Sequence, residues 1–350
     1  MRVLMVGVDK QTKGGMWTVA ENYIHSKSFV AETNLQYVAT SITGSVPKRL
    51  LFTAKALLQI GWKLIRNRFD IAHIHMAERG SVYRKNLVIC MAKLFGCKII
   101  IHMHGAEFET WYRSLDEKKQ QGVRKILSKA DRILILGEYW REFVCSLVSN
   151  QGDVRVLHNA VQVPDENPYD PEARNILFLG VVGKRKGVAD LLEAMKRIDD
   201  KLLKTDHLMV YGPENDIAIE DAITEAGLTS RVEYKGWLTA ENKTAVFCKT
   251  ALNVLPSYNE GLPMTILETM AYGIPNISTN VAAIPEAVTA ENGAVICPGD
   301  VDRLASEILT LMQDPESRIQ KSQIAYKNAK EAFSIDKHIE RLLKLYRELV

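Results

Sequence analysis

The sequence predicts an α/β protein made of two doubly wound, Rossmann-like domains. Short apolar runs alternate with amphipathic runs along all 350 residues, as they do in parallel sheets covered by helices. The alternation stops at residues 164–171, which contain three prolines, and then starts again. The chain is also longer than the roughly 250–300 residues at which a single hydrophobic core stops growing.

Twelve strands are expected, six in each half. They are 3–8, 35–40, 71–75, 98–104, 132–136 and 154–157, followed by 176–180, 207–211, 232–235, 251–255, 275–278 and 294–297. Helical patterns fill the gaps, for example at 16–25, 82–95, 115–128 and 188–195. The predicted division is a first domain at 1–163, an exposed linker at 164–172, a second domain at 173–333 and a helix at 334–350. We consider that this last helix packs back on the first domain.

Composition favours a globular protein of the cytoplasm. The chain is 47% apolar and 25% charged, and no apolar run approaches the roughly 18 residues of a membrane span. The apolar run after Met1 and Arg2 is too short for a secretion signal. The five cysteines are scattered and have no CxxC spacing, which fits a reducing compartment better than a disulfide framework or a zinc site.

Charge is distributed unevenly along the chain. Residues 1–165 carry a net charge of +10, and the remainder carries −7. The segment 46–69 interleaves six cations with leucines and a tryptophan, a pattern typical of a helix that lies on an anionic membrane. An ordinary domain helix with a solvated charged face is the alternative. We expect no nucleic-acid partner, and a cytoplasmic location that could be peripheral at the inner face of the membrane.

Two carboxylates flank a predicted helix start in the second half. Glu260 stands in the loop 256–262, and Glu268 lies about five residues inside the following helix, hence roughly 7–8 Å along its axis. Pro263 suits the first turn of that helix, and Gly273 suits its end. The unpaired N–H groups of a helix N-terminus bind anions, so a diphosphate could lie between the two carboxylates.

The string NEGLPMTILETMAYGIP, residues 259–275, resembles the E-x7-E motif of family 4 glycosyltransferases, which have the two-domain GT-B fold. The resemblance implies that Glu260 contacts the donor sugar and Glu268 the ribose of the nucleotide. It also implies two domains that face each other across a cleft. The motif's Gly261, Leu262 and Met264 are then expected at the donor as well.

A second motif, residues 178–187, places glycines and three consecutive cations between a strand and a helix. Such a loop suits a diphosphate, and it resembles the family's phosphate loop. The resemblance implies that Lys186 binds the donor diphosphate. The family often has an arginine where this chain has Val181, and Arg185 or Lys184 would then supply the second cation.

Weaker landmarks extend the resemblance, which is specific over 176–309 and looser before it. Gly14 and Gly15 resemble the family's Gly-Gly loop, which faces the donor phosphates. Trp237 follows Lys235 and Gly236 in a segment that resembles the one beside the nucleotide base.

The histidines allow a different interpretation. His73 and His75 share one face of a strand, as do His102 and His104, because side chains alternate along a strand. These pairs could belong to a metal hydrolase, whereas the resemblance places His104 beside the donor sugar and leaves His102 structural. The only Asp-x-Asp string, residues 300–302, fits a helix cap better than a metal clamp.

We therefore predict a retaining, metal-independent hexosyltransferase with no cofactor. It would move a sugar from a nucleoside diphosphate, most often UDP in the family, to a saccharide or lipid-linked saccharide in cell-surface polysaccharide synthesis. The predicted catalytic residues are Glu260, His104 and Lys186. The alternatives are the metal hydrolase, an epimerase or phosphorylase on the same fold, and a non-catalytic scaffold.

Overall fold

The structure, a computed structural model, describes residues 1–12, 15–148 and 153–350. It confirms the predicted α/β class, because it contains two six-stranded sheets whose neighbouring strands all pair in parallel. Residue contacts divide the chain into two units. The first unit comprises Met1–Asn159 and Ile335–Val350, and the second comprises Ala160–Ser334.

The sheet of the first unit has the order β2-β1-β3-β4-β5-β6. Its strands are β1 Val3–Gly7, β2 Gln36–Ala39, β3 Ile71–Met76, β4 Lys98–Met103, β5 Arg132–Ile135 and β6 Asp153–Val156. Its helices are α1 Gly15–His25, α2 Lys27–Thr33, α3 Val46–Arg66, α4 Gly80–Leu94, α5 Phe108–Arg113, α6 Glu117–Leu127, α7 Arg141–Leu147 and α14 Ile335–Arg347. Strands such as β3 and β4 are buried on both faces, which explains their nearly continuous apolar sequence.

The sheet of the second unit has the order β12-β11-β10-β7-β8-β9. Its strands are β7 Asn175–Leu179, β8 Leu208–Tyr211, β9 Val232–Tyr234, β10 Thr250–Leu255, β11 Asn276–Thr279 and β12 Gly293–Ile296. Its helices are α8 Val188–Ile198, α9 Ile219–Ala226, α10 Ala240–Phe247, α11 Met264–Ala271, α12 Val301–Gln313 and α13 Pro315–Ala332. The strand order reverses between β7 and β10, and ligands of doubly wound sheets bind beyond the carboxyl ends of the strands at such a switch point.

The stretch 164–172 lies outside helices and strands and is exposed or half-buried, yet several of its groups make hydrogen bonds within the second unit. The Tyr169 hydroxyl donates a hydrogen bond to the Ala251 carbonyl at 3.0 Å, and the Asn167 amide donates to Ser322 Oγ at 3.0 Å. The Tyr326 hydroxyl donates to the carbonyl of Pro164 at 2.7 Å. The prolines keep the segment out of helices and strands, yet its polar groups are satisfied by the second unit, to which it belongs.

The last helix, α14, belongs to the first unit, so the chain passes between the units twice. Its Leu342 and Tyr346 are fully buried there. In the described part of the chain, no helix combines the length and the apolar character needed to cross a membrane.

Candidate functional site

The loops that follow β7 and β10 meet at the switch point of the second unit. The backbone N–H of Tyr258 donates to the Arg185 carbonyl at 2.9 Å, and Arg185 Nη1 donates to the Asn259 carbonyl at 2.9 Å. Gly187 has φ +70°, and a Cβ atom there would lie 2.1 Å from the Pro256 carbonyl oxygen. Only glycine allows this approach. Two motifs that are separate in sequence therefore form one surface.

An ion pair between Lys186 and Glu260 joins these loops. Glu260 is only 6% exposed, and its Oε1 also accepts a hydrogen bond from the Ser257 hydroxyl at 2.7 Å. A buried carboxylate is tolerated when it is paired and hydrogen-bonded in this way. The ammonium has three donors, so the pair can position Lys186 while leaving it able to bind an anion.

Helix α11 starts beside this ion pair. The Thr265 hydroxyl in its first turn donates to the carbonyl of Leu179, the last residue of β7, at 3.0 Å. Leu262 is buried just before the helix and anchors the loop in the core. Further along the helix, Glu268 pairs with Lys243 of α10 at 2.9 Å. The N-terminus of α11 thus lies at the switch point, with one carboxylate before it and one inside it.

The loop after β9 is tied to the same edge of the sheet. The N–H of Gly212 donates to the Gly236 carbonyl at 2.8 Å. Gly212 has φ +137°, and a Cβ atom there would lie 1.7 Å from the carbonyl oxygen of Gly180. Trp237 follows in this loop and is 47% exposed, so part of its ring is accessible to a ligand.

The predicted donor residues are placed as follows. At or near the switch point are Arg185, Lys186, Glu260, Gly261, Leu262 and Met264, with Glu268 one to two turns into α11 and Trp237 after β9. Gly15 begins α1 in the first unit, and Gly14 lies outside the described residues. Val181, which stands where the family often has an arginine, is exposed. Of the two cations suggested to replace that arginine, Arg185 donates to the loop after β10. Lys184 donates its backbone N–H to Asp216.

Sequence reasoning missed the partners of the predicted residues. Ser257 is three residues before Glu260, so its place inside the motif was an available signal. Lys243 lies 25 residues from Glu268 on another helix, and nothing local marks it. Thr265 was likewise not singled out, because its bond to Leu179 depends on which strand lies beside β10.

A histidine cluster fills part of the first unit and comprises His73, His75, His102, His104 and His338. It forms because β3 and β4 are neighbours, which brings the two H-x-H pairs into ring contact. The hydrogen bonds within and around it include His73 Nδ1 to the Tyr346 hydroxyl at 2.6 Å, His73 Nε2 to His102 Nδ1 at 3.2 Å, His75 Nδ1 to His104 Nε2 at 2.8 Å, the Tyr23 hydroxyl to His338 Nε2 at 2.5 Å and His338 Nδ1 to the His158 carbonyl at 2.8 Å.

Burial keeps these imidazoles neutral. It lowers the pKa of His73 and His104 to about 3 and that of His338 to about 4. Burial and the neighbouring imidazoles hold the pKa values of His75 and His102 well below the usual range. His104, directly after β4, is therefore a neutral hydrogen-bonding group at neutral pH.

Ring nitrogens of His73, His75 and His102 lie within 4.8 Å of one another, close enough together to hold a metal ion. His73 Nε2 and His102 Nδ1 are hydrogen-bonded to each other, and His75 Nδ1 is bonded to His104. A metal bound through those atoms would have to replace these bonds. The hydrogen bonds form two separate imidazole pairs, His73–His102 and His75–His104, and within the described residues His75 Nε2 and His102 Nε2 have no hydrogen-bond partner.

Comparisons with known proteins agree with the motifs. The profile of Glycosyltransferase Family 4 matches residues 24–163, and that of Glycosyl transferases group 1 matches residues 173–314, together about four fifths of the chain. The chain is 25% identical over 306 residues to an uncharacterized 41.2 kDa protein in the cps region of Klebsiella pneumoniae, covering 81% of this chain and 83% of the relative. It is 24% identical over 322 residues to UDP-Gal:alpha-D-GlcNAc-diphosphoundecaprenol alpha-1,3-galactosyltransferase of Escherichia coli, covering 86% and 81%.

Solved structures share the fold over the whole chain. Sucrose-phosphate synthase of Thermosynechococcus elongatus matches with a TM-score of 0.80 at 17% identity, covering 100% of this chain and 99% of that one. HepE of Anabaena, in complex with UDP, matches with a TM-score of 0.76 at 13% identity, covering 99% and 100%.

Two doubly wound units, with the motif loops at the switch point of the second, define a glycosyltransferase of the GT-B fold class. The chain belongs to family 4 of the glycosyltransferases. This assignment leaves the hydrolase and epimerase alternatives without support.

Proposed function

We propose that this glycosyltransferase retains anomeric configuration and transfers a sugar from a nucleoside diphosphate, most simply UDP, to a saccharide or lipid-linked saccharide acceptor. The E. coli relative is named for a UDP-sugar donor and a diphosphoundecaprenol-linked acceptor. The K. pneumoniae relative is encoded in a cps region, and HepE was solved with UDP. These names support a role in cell-surface polysaccharide synthesis, and we propose that the enzyme acts at the inner face of the membrane.

The observation that carries the donor-site proposal is the Lys186–Glu260 pair at the switch point of the second unit, beside the N-terminus of α11. A diphosphate bound there would be stabilised by the ammonium and by the unpaired N–H groups of the helix. Glu260 would hold Lys186 in place and contact the donor sugar. Glu268 would bind the ribose, and Trp237 would lie beside the base.

The same arrangement suggests how bond cleavage is promoted. Negative charge develops on the departing diphosphate, and Lys186, with Arg185 nearby, would stabilise it. The leaving phosphate would take the acceptor's proton on the face from which it departs, so that configuration is retained without a protein nucleophile. We assign His104 to hydrogen bonding with the donor sugar on the family resemblance and on its neutral state.

We further propose that no metal takes part, because fixed cations and helix N–H groups would stabilise the diphosphate. The test is a thermal-shift titration with UDP, GDP, ADP and dTDP, with and without EDTA. A ligand at 100 times its dissociation constant adds about 2.7 kcal/mol of stability. We expect one nucleotide to raise the melting temperature equally in both conditions. Loss of that shift with EDTA would overturn metal independence, and no shift with any nucleotide would overturn the donor site.

Two variants localise the site in that titration. Lys186→Ala should abolish most of the nucleotide shift, whereas Lys196→Ala, on the exposed side of α8, should leave it unchanged. Release of UDP and formation of a glycoside would then be followed with a UDP-sugar panel. UDP release without a glycoside would contradict the transferase reaction with those acceptors.

A further inference from the structure

Helix α3 has apolar residues on two opposite faces. One face carries Ala56, Ile60 and Leu64, which are buried against β2 and α4. The other face points to solvent and carries large apolar side chains at positions 51, 58, 62 and 65, which recur on one line of a helix. We call these four residues the outer stripe. Their exposed fractions are Leu51 58%, Leu58 76%, Trp62 55% and Ile65 73%.

An exposed apolar stripe of this size calls for a partner, because contiguous apolar surface on soluble proteins is typical of interaction sites. The neighbouring helix α4 adds Leu87 and Leu94, which are 51% and 84% exposed. Helix α3 cannot bury this stripe in the core of the first unit, since the opposite face of the helix already packs there.

The charges around the outer stripe indicate which partner it fits. Lys48, Lys55 and Arg66 are exposed along a single line of the helix beside the stripe, and the Arg66 guanidinium lies 4.6 Å from the centre of the Trp62 ring. No aspartate or glutamate occurs between Glu32 and Asp70. A second copy of this surface would meet it with like charge, whereas anionic headgroups would neutralise it.

We propose that α3 docks on an anionic lipid bilayer, with the outer stripe inserted at the level of the acyl boundary and Lys48, Lys55 and Arg66 on the headgroup phosphates. The helix is 21 residues, hence about 30 Å long, and would lie in the plane of the membrane. The inference deepens the proposed function, since it names the surface that would bring the enzyme to a lipid-linked acceptor. The binding itself does not depend on transfer.

The experiment is vesicle flotation of the full chain, with phosphatidylcholine vesicles that contain or lack phosphatidylglycerol. We expect the protein to float only with the anionic vesicles, and to be released as salt is raised. Quenching of Trp62 by brominated lipid, scored against Trp62→Phe, would report insertion. Failure of the wild-type chain to float would overturn the proposal.

Three variants make the test specific. Leu58→Glu with Ile65→Glu should abolish flotation, and Lys55→Glu with Arg66→Glu should weaken it by thirtyfold or more, because each cation contributes about fivefold. Leu203→Glu, at a leucine that is 58% exposed in the second unit, is the control and should float like wild type. Unchanged flotation of the stripe variant, or equal loss in the control, would refute the assignment.

The flotation result and the nucleotide thermal shift test the two proposals separately. All variants should keep the wild-type UDP thermal shift, which depends on the second unit, so a lost shift in the wild type would concern the donor site alone. Size-exclusion chromatography tests whether a second copy of the chain binds the outer stripe instead. A wild-type dimer that becomes a monomer in the stripe variant, without lipid binding, would replace the bilayer by a second copy.

Discussion

The histidine cluster should make the first unit sensitive to mild acid. His73, His75 and His102 are fully buried and His338 is 3% exposed, and burial lowers the pKa of each. The unfolded chain has imidazole pKa values of about 6.5. It therefore binds more protons than the folded chain below that pH, and stability must fall as pH falls toward the folded pKa values of about 3 to 4.

The size of the effect follows from proton linkage. Between about pH 7.5 and pH 5.5, each histidine that stays neutral when folded reduces the free energy of unfolding by about 1.4 kcal/mol. The four buried imidazoles together would remove about 5 to 6 kcal/mol, a large part of the roughly 5–15 kcal/mol that stabilises a typical domain. The titratable groups around them do not offset this. Burial also lowers the pKa of Lys85 well below its usual range, and it raises the pKa of Tyr23 and Tyr346.

Urea unfolding at a series of pH values measures the effect. Tryptophan fluorescence reports mainly the first unit, which contains four of the five tryptophans, and Trp237→Phe removes the fifth. His102→Asn keeps a hydrogen-bonding group toward His73 but cannot titrate, so it should lose about 1.4 kcal/mol of the pH-dependent change. His25→Gln, at an exposed position, is the control. A free energy of unfolding that is flat over this interval would refute the reasoning.

Further expectations concern the donor site and its supports. Lys186→Ala should lower turnover about 10²–10³-fold with the fold intact, and a rate near that of wild type would contradict its role; Lys196→Ala is the matched control for this assay. Glu268→Gln should weaken UDP binding about tenfold or more. Inhibition by pyrophosphate, which lacks a ribose, should stay the same. Equal weakening of UDP and pyrophosphate binding would exclude a ribose contact. His75→Leu should lower kcat about tenfold at similar KM, because His104 loses its hydrogen-bond partner. His75→Asn should restore part of the lost kcat. Identical effects of the two variants would indicate a packing role alone.

The strands could be predicted from sequence because their apolar runs are bounded by turn residues, and the central strands, such as β3 and β10, are buried on both faces. All twelve were predicted to within one residue at each end, and the central ones are the clearest, since doubly buried parallel strands have nearly uninterrupted apolar sequences. The prolines of residues 164–172 carried less information. Prolines mark where a helix or strand cannot form, but they do not show whether the segment packs, and Tyr169 and Asn167 bind the second unit through side chains.

The contacts inside the candidate site depend on strand order, which local pattern does not contain. Lys186 and Glu260 were both identified as ligands of a donor, yet their mutual ion pair spans 74 residues and follows from β7 lying beside β10. The His75–His104 bond likewise requires β3 beside β4. Residue types and motifs thus predicted what the site contains, and the sheet determines which groups touch.

The return of α14 to the first unit affects how the protein can be made. During synthesis, residues 1–159 leave the ribosome without the helix that supplies His338 and Tyr346 to the histidine cluster, while the second unit emerges complete in between. The core of the first unit can therefore form completely only after residues 335–350 have been translated. The second unit could be produced alone as one continuous segment, whereas the first would require its C-terminal helix to be rejoined, by circular permutation or by a short fused loop.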